Sequence, residues 1–301
     1  MDSHIGEREK RWAALSSVLA AIALTTLKII VGLMTNSLGI LSEAAHSGLD
    51  LAAAVVTFFA VRVSDRPADP EHTYGHGKVE NLSALFETLL LLATCAWIVY
   101  EGIERLIRKH AAVDASFWAF AVIGLSIVVD FSRSRVLFRT ARKYNSQALE
   151  ADALHFSTDI WSSAVVLLGL VGVRLAAVLP AYRSLLEKAD SVAALAVAAI
   201  VVFVSLRLGG RTIRGLIDTA PTGLRERIKE SVERLPGVSD CHNVRVRTSG
   251  PYLFVDVHVL LDGAQTLHAA HALTEVIEET IQQLAPNADV TVHPEPGPPT
   301  G

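Results

Sequence analysis

Six long apolar runs, separated by short polar links, fill the first two thirds of the chain. They cover residues 12–34, 38–63, 82–101, 117–138, 149–178 and 192–208. About twenty apolar residues carry a helix across the hydrocarbon core of a bilayer, so the pattern predicts six transmembrane helices. Only Thr35-Asn36-Ser37 separates the first two, which predicts a tight helical hairpin. From about Gly215 the pattern changes and no run is long enough to span. Residues 221–235 read as a helix that stops at Pro236-Gly237. Val244-Arg245-Val246-Arg247 alternates as a strand does, and Ser249-Gly250-Pro251 signals a turn. Residues 252–261 predict a second strand, with Val255, Val257 and Val259 on one face and Phe254, Asp256 and His258 on the other. Residues 266–284 are amphipathic, with Leu267, Ala270, Leu273, Ile277 and Ile281 spaced for one helical face. Residues 289–293 predict a last short strand, and the Pro/Gly-rich stretch from Pro294 to Gly301 an unstructured tail.

The expected fold is therefore an α-helical membrane protein with a C-terminal α+β domain of order α-β-β-α-β. The expected division is 1–213 for the membrane domain, 214–294 for the small domain and 295–301 for the tail. Composition agrees: 51% of the 301 residues are hydrophobic and the mean hydropathy is +0.39, too apolar for an ordinary soluble domain. A net charge of -4 speaks against a nucleic-acid binder and against a polybasic lipid binder. The two cysteines, Cys95 and Cys241, lie far apart and form neither a disulfide framework nor a Cys-x-x-Cys metal motif. The charged residues 1–11, with no small-residue cleavage site after the following apolar run, do not read as a removable signal peptide.

Basic residues set the expected orientation. Arg8, Lys10 and Arg11 share a side with the links carrying Arg66 and Lys78, and Arg133, Arg135, Arg139, Arg142 and Lys143. Both termini are then cytoplasmic, although Arg105, Arg108 and Lys109 fall on the opposite side. The compact chain and short charged N-terminus point to a bacterial inner membrane.

Two stretches inside these apolar runs answer each other. Glu43, His46 and Asp50 recur as Asp152, His155 and Asp159, each an acid, a histidine three residues on and an aspartate four further. Residues three and four apart share a helix face, and ionisable groups at membrane depth are costly and usually face an interior or an ion path. One stretch runs inward and the other outward. At about 1.5 Å per residue both inner His-x-x-x-Asp pairs approach the midplane, where transporter sites usually lie. Two imidazole nitrogens and two carboxylate oxygens suit a tetrahedral cation, above all Zn2+, whereas magnesium and calcium prefer oxygen alone. Two carboxylates balance a divalent ion, and protons would replace it on release, so the quartet predicts a metal/proton exchanger. Glu43 and Asp152, nearer the helix ends, take supporting roles. A membrane zinc hydrolase would need an open position for water, which four protein ligands close. A non-transporting metal sensor would leave the midplane quartet idle.

These two motifs, the six runs, the link motif His72-Thr73-Tyr74-Gly75-His76-Gly77-Lys78 and the αββαβ tail together resemble the cation diffusion facilitators. The resemblance covers nearly the whole chain. It implies a homodimeric, proton-coupled efflux carrier for divalent transition metals, with a metallochaperone-like (ferredoxin-like) cytoplasmic domain that helps hold the dimer. It assigns His46, Asp50, His155 and Asp159 to the transport site, and Asp69, His72 and His76 to a second metal site in the link. A third site takes His242, His258, His271, His293 and Glu295 near the dimer contact. It also pairs Lys78 with Asp218 as a hinge between membrane and cytoplasmic parts. Members with histidine first in the second-span motif, as here, look zinc-preferring, and those with aspartate there accept a broader range. Carriers of Fe2+, Mn2+, Co2+ and Cd2+ share the architecture.

Overall fold

The computed structural model describes residues 2–107, 117–178, 183–286 and 288–297. Arg108, Lys109 and the last four residues of the tail lie outside them. Six long helices come first: α1 (Asp2–Thr35), α2 (Leu38–Ser64), α3 (Lys78–Ile107), α4 (Phe117–Tyr144), α5 (Gln147–Val178) and α6 (Arg183–Leu216). Each is longer than its apolar run, because polar turns continue the helix beyond the apolar part at one end or both. Asn36, at φ 50°, makes the turn between α1 and α2, and the Ser37 hydroxyl accepts from the Ile40 N–H to cap α2. Among the described residues, four stretches are long and apolar enough to cross a membrane: Ile5–Thr35, Glu43–Ser64, Lys78–Trp97 and Leu195–Leu216.

The helices pack α1 on α2, α3 on α6 and α4 on α5, with α5 also touching α2, α3 and α6. One packed seam is rich in alanine: Ala13, Ala14, Ala54, Ala141, Ala148 and Ala153 surround Val61, Leu137, Leu149 and Phe156. Small residues let helix backbones approach where lipid supplies no hydrophobic contrast. Large apolar side chains turn outward instead, among them Trp12, Leu33, Leu49, Phe59, Leu89 and Trp97. A polar interior with an apolar exterior fits a bilayer rather than water.

The small domain holds α7 (Leu224–Glu233), β1 (Val238–Ser249), β2 (Tyr252–Asp262), α8 (Leu267–Leu284) and β3 (Ala288–Gly297), in the expected order. The sheet runs β1-β2-β3, antiparallel then parallel. Ile228 and Val232 of α7 and Ile277 and Ile281 of α8 bury against Val255, Val257 and Val259. Helices thus cover the valine face, and His258 stands on the open one. Three expectations change. Leu267 is exposed, because it opens α8 ahead of the packed stripe, which starts at Ala270. His242 lies within β1 rather than before it. The expected tail is strand as far as Gly297, with Pro294, Glu295, Pro296 and Gly297 opposite Val259, Leu260, Leu261 and Asp262. The two prolines are two apart on an edge strand, so their missing N–H groups fall on one side and leave the ladder to β2 intact.

Cys241 points into this core, fully buried and away from the His242 face. Burial pushes its thiol up to about 11, against about 8.5 for a free thiol. The neutral form is the favoured one inside. Its contribution to stability is therefore complete below pH ~8.5 and is lost as the pH climbs through about 11. At pH 8, iodoacetamide should modify Cys241 about a hundredfold or more slowly in the native protein than in denaturant, from the thiolate fraction alone. Mass spectrometry of the Cys241 peptide reads the rate, and equal rates in the two states would contradict the burial.

Candidate metal centres

Helical period places His46 over Asp50 on α2 and His155 over Asp159 on α5, and the contact of α2 with α5 brings the two pairs face to face. His155 Nε2 lies 3.1 Å from Asp50 Oδ1 and 3.6 Å from Asp159 Oδ2. His46 Nε2 lies 3.9 Å from one oxygen of each aspartate. Donor atoms of His46, Asp50 and Asp159 fall within 4.8 Å of one another, a spacing that could hold a metal ion. The cluster is graded in depth: the His155 side chain is 5% exposed and that of His46 37%. His46 is the quartet's opening and His155 its floor.

Glu43 and Asp152 point elsewhere. Lys28 Nζ sits 3.2 Å from Glu43 and donates to Ser47 Oγ at 2.7 Å. Fully buried Asp152 accepts from Ser17 Oγ, which also receives the Arg133 guanidinium. That guanidinium lies 3.4 Å above the Phe156 ring. The acids that begin each stretch therefore tie α2 and α5 to α1 and α4 and supply nothing to the quartet directly.

Sequence reading missed a neighbour. Glu87 of α3, fully buried, has Oε2 3.6 Å from His155 Nδ1, and Thr57 donates to its Oε1 at 3.1 Å. A carboxylate in the middle of an apolar run was the available signal.

In the link between α2 and α3, a turn through Gly75 (φ 73°) folds His76 back over His72, with ring centroids 4.3 Å apart. Asp69 lies 3.2 Å from His72 Nδ1 and 3.3 Å from His76 Nε2. The backbone N–H of His72 holds the Asp69 carboxyl below its ordinary range. All three predicted link residues meet.

On the open face of the sheet, His258 Nδ1 is 2.7 Å from Glu295 Oε1 and His242 Nε2 is 3.4 Å from Glu295 Oε2. His293 stacks 4.7 Å from the His258 ring, with its Nε2 4.0 Å from Glu295. The hydrogen bond from His258 holds the Glu295 carboxyl below its ordinary range. A bulge makes this cluster possible. The β1–β2 register shifts between His242 and Arg245, around Asn243 at φ 49°, so His242 faces out although both Cys241 and Val244 face in. Asp240, two residues before His242, lies 2.9 Å from its Nδ1 and orients it. Period-two spacing was the signal for that residue. His271 stands apart. It sits exposed on α8, on the helix-covered side of the sheet, beside Glu275.

Lys78 Nζ lies 3.0 Å from Asp218 and donates to the Leu216 carbonyl at 3.3 Å. The predicted pair meets where the bundle joins the small domain. Beside it the Arg247 guanidinium lies 3.7 Å above Tyr74. A Cβ on Gly77 would come within 2.1 Å of the Ser249 carbonyl oxygen. The link that carries Asp69, His72 and His76 thus rests directly on the β1–β2 turn, at a contact only glycine permits.

Residues 14–217 match the family model of the cation efflux transmembrane domain, and residues 220–297 that of the cytoplasmic domain of cation efflux proteins. The chain is similar to the cation-efflux pump FieF of Serratia proteamaculans, 32% identical over 290 residues that cover 94% of this chain and 92% of the relative. The FieF protein of Yersinia pestis is 33% identical over 293 residues, covering 95% and 93%. The solved structure of CzrB in its zinc form is 28% identical, covering a quarter of this chain and 88% of that chain, with a TM-score of 0.24. Matches in both halves, and relatives at about a third identity along nearly the full length, place this chain in the cation diffusion facilitator family of cation efflux transporters.

Proposed function

We propose that the chain exports divalent transition metals from the cytoplasm in exchange for protons, with zinc preferred. The supporting observation is the mixed donor set between α2 and α5: His46, Asp50 and Asp159 bring donor atoms within 4.8 Å of one another, and His155 Nε2 lies 3.1 and 3.6 Å from the two aspartates. That set suits a borderline-soft tetrahedral ion. In this reading all six long helices span a bacterial inner membrane with both termini inside. The membrane part is 1–213, and the cytoplasmic part follows it to the end of β3 at Gly297. Metal enters the quartet from the cytoplasm, the bundle rocks, and protons displace it on the outer side. The family match of the cytoplasmic domain supports a homodimer. Within one protomer His271 cannot reach His258, so it would join the His242–His258–His293–Glu295 cluster only across the contact between two copies. The Asp69–His72–His76 cluster is a second metal site in this reading, and Lys78–Asp218 the hinge beside it.

The names of the FieF relatives specify cation efflux without a metal, so zinc rests on His46. In proteoliposomes with an imposed pH gradient, zinc uptake should exceed cadmium uptake at equal concentration. His46→Asp should narrow the zinc-to-cadmium ratio about tenfold, because a carboxylate binds through one oxygen or two and so accommodates a larger ion than a tetrahedral imidazole site favours. An unchanged ratio would remove the zinc preference and leave a general metal carrier. Absence of any pH-driven metal flux in the unmutated protein would remove the exchanger.

A further inference from the structure

We propose that Glu87 positions His155 for metal binding by accepting the proton of its far ring nitrogen, which makes Glu87, held by Thr57, a determinant of metal affinity. The inference rests on the reading of His155 as a ligand. Nε2 of His155 faces Asp50 and Asp159. To ligate a cation through Nε2, a neutral imidazole must carry its proton on Nδ1. Among the described residues that buried nitrogen has no hydrogen-bond partner within range, and neither has Glu87 Oε2, which lies 3.6 Å away. A buried N–H needs an acceptor, and Glu87 offers one after a shift of a few tenths of an ångström. Thr57 fixes the other oxygen of Glu87 at 3.1 Å, so α2 holds the carboxylate that aims a ligand of α5. The chain Thr57–Glu87–His155 thus crosses α2, α3 and α5 beneath the quartet. It is the arrangement in which an outer carboxylate sets the tautomer and orientation of a metal-binding histidine. Glu87 itself faces the wrong nitrogen to bind the same ion.

The test uses full-length protein in proteoliposomes, with zinc uptake measured across a range of zinc concentrations. Glu87→Met, of similar shape but with no oxygen, should raise the KM for zinc about 10–100-fold, the usual cost of losing an outer partner of a metal ligand, with kcat within about threefold. Glu87→Gln keeps an oxygen that can accept the Nδ1 proton and should restore the KM to within about threefold. Thr57→Val should raise it to an intermediate value. A 15N spectrum of the zinc-loaded, histidine-labelled protein should show a hydrogen-bonded Nδ1–H at His155 in the unmutated protein and in Glu87→Gln. An unmoved KM in Glu87→Met would overturn the proposal, as would a glutamine variant as impaired as the methionine one. If Glu87→Met does not fold, Glu87→Gln and Thr57→Val decide by the same measure. His155→Ala separates this from the parent reading. Full flux in His155→Ala means that His155 is no ligand, whereas lost flux there with an unmoved KM in Glu87→Met rejects only the role of Glu87.

Discussion

Zinc flux through Asp50→Ala or Asp159→Ala is expected to fall by more than about a hundredfold. Each aspartate contributes an oxygen within 3.9 Å of a histidine nitrogen on both helices. Loss of either leaves three donors where a tetrahedral ion needs four. An outer partner of a metal ligand costs 10–100-fold when removed, so a direct ligand should cost more. Water cannot fill the gap cheaply at this depth, because the Asp50 and Asp159 side chains are each only 12% exposed. The effects should not add: once one aspartate is gone the site is broken, and the double variant should match either single one. The measurement is pH-driven zinc uptake in proteoliposomes, with Glu9→Gln as the control. Glu9 pairs with Lys143 at an exposed position, and exposed pairs contribute little. Normal uptake in either aspartate variant would remove the quartet from the transport path.

The second large effect is on stability. Lys10→Met should cost about 3–5 kcal/mol, the usual penalty for stranding buried charges. The Lys10 ammonium, 5% exposed, touches Asp65 and lies 3.2 Å from Glu80, and both carboxylates are fully buried. Glu80 also accepts from Ser64 and from Ser146, the residue before α5, and Arg11 reaches Asp65 at 3.3 Å. One lysine of α1 therefore neutralises acids from the end of α2 and the start of α3, in a knot that includes the start of α5. Methionine fills much the same volume and leaves Glu80 without its cation and Asp65 with Arg11 alone. The thermal midpoint in detergent should drop by roughly 5–10 °C, while Glu9→Gln should leave it unmoved. Adding Asp65→Asn and Glu80→Gln to Lys10→Met should recover much of the loss, since a pair removed as a whole costs far less than a pair broken. Equal midpoints for Lys10→Met and the unmutated protein would show that water reaches this cluster and screens it.

Local periodicities were legible in the chain itself. Apolar runs of twenty residues can only be helices in lipid, and the spacing of three and four residues fixes which side chains share a stripe. His46 with Asp50, and His155 with Asp159, were therefore pairs before any fold was known. Antiparallel runs at similar depth made their meeting a natural expectation. Alternation of valines in β2 assigned His258 to the open face for the same kind of reason.

What tertiary structure decided are the relations that no local period encodes. Glu87 became a neighbour of His155 only because α3 packs against α5, and nothing in the spacing from 87 to 155 points there. Glu43 and Asp152 share the stripes of the quartet and were expected in supporting roles, but only packing shows that α1 supplies their partners, Lys28 and Ser17. A bulge at Asn243 overrode strict alternation and put His242 beside His258 and Glu295. Pro294 and Pro296 read as a break in the strand, but on an edge their missing donors face away from the ladder. His271 kept its place on a helix face that one protomer never brings to the cluster. Sequence fixes how each element is striped, because the helix and the strand have rigid periods. Which stripe meets which is settled by packing between elements far apart in the chain, where every buried charge has to find its partner.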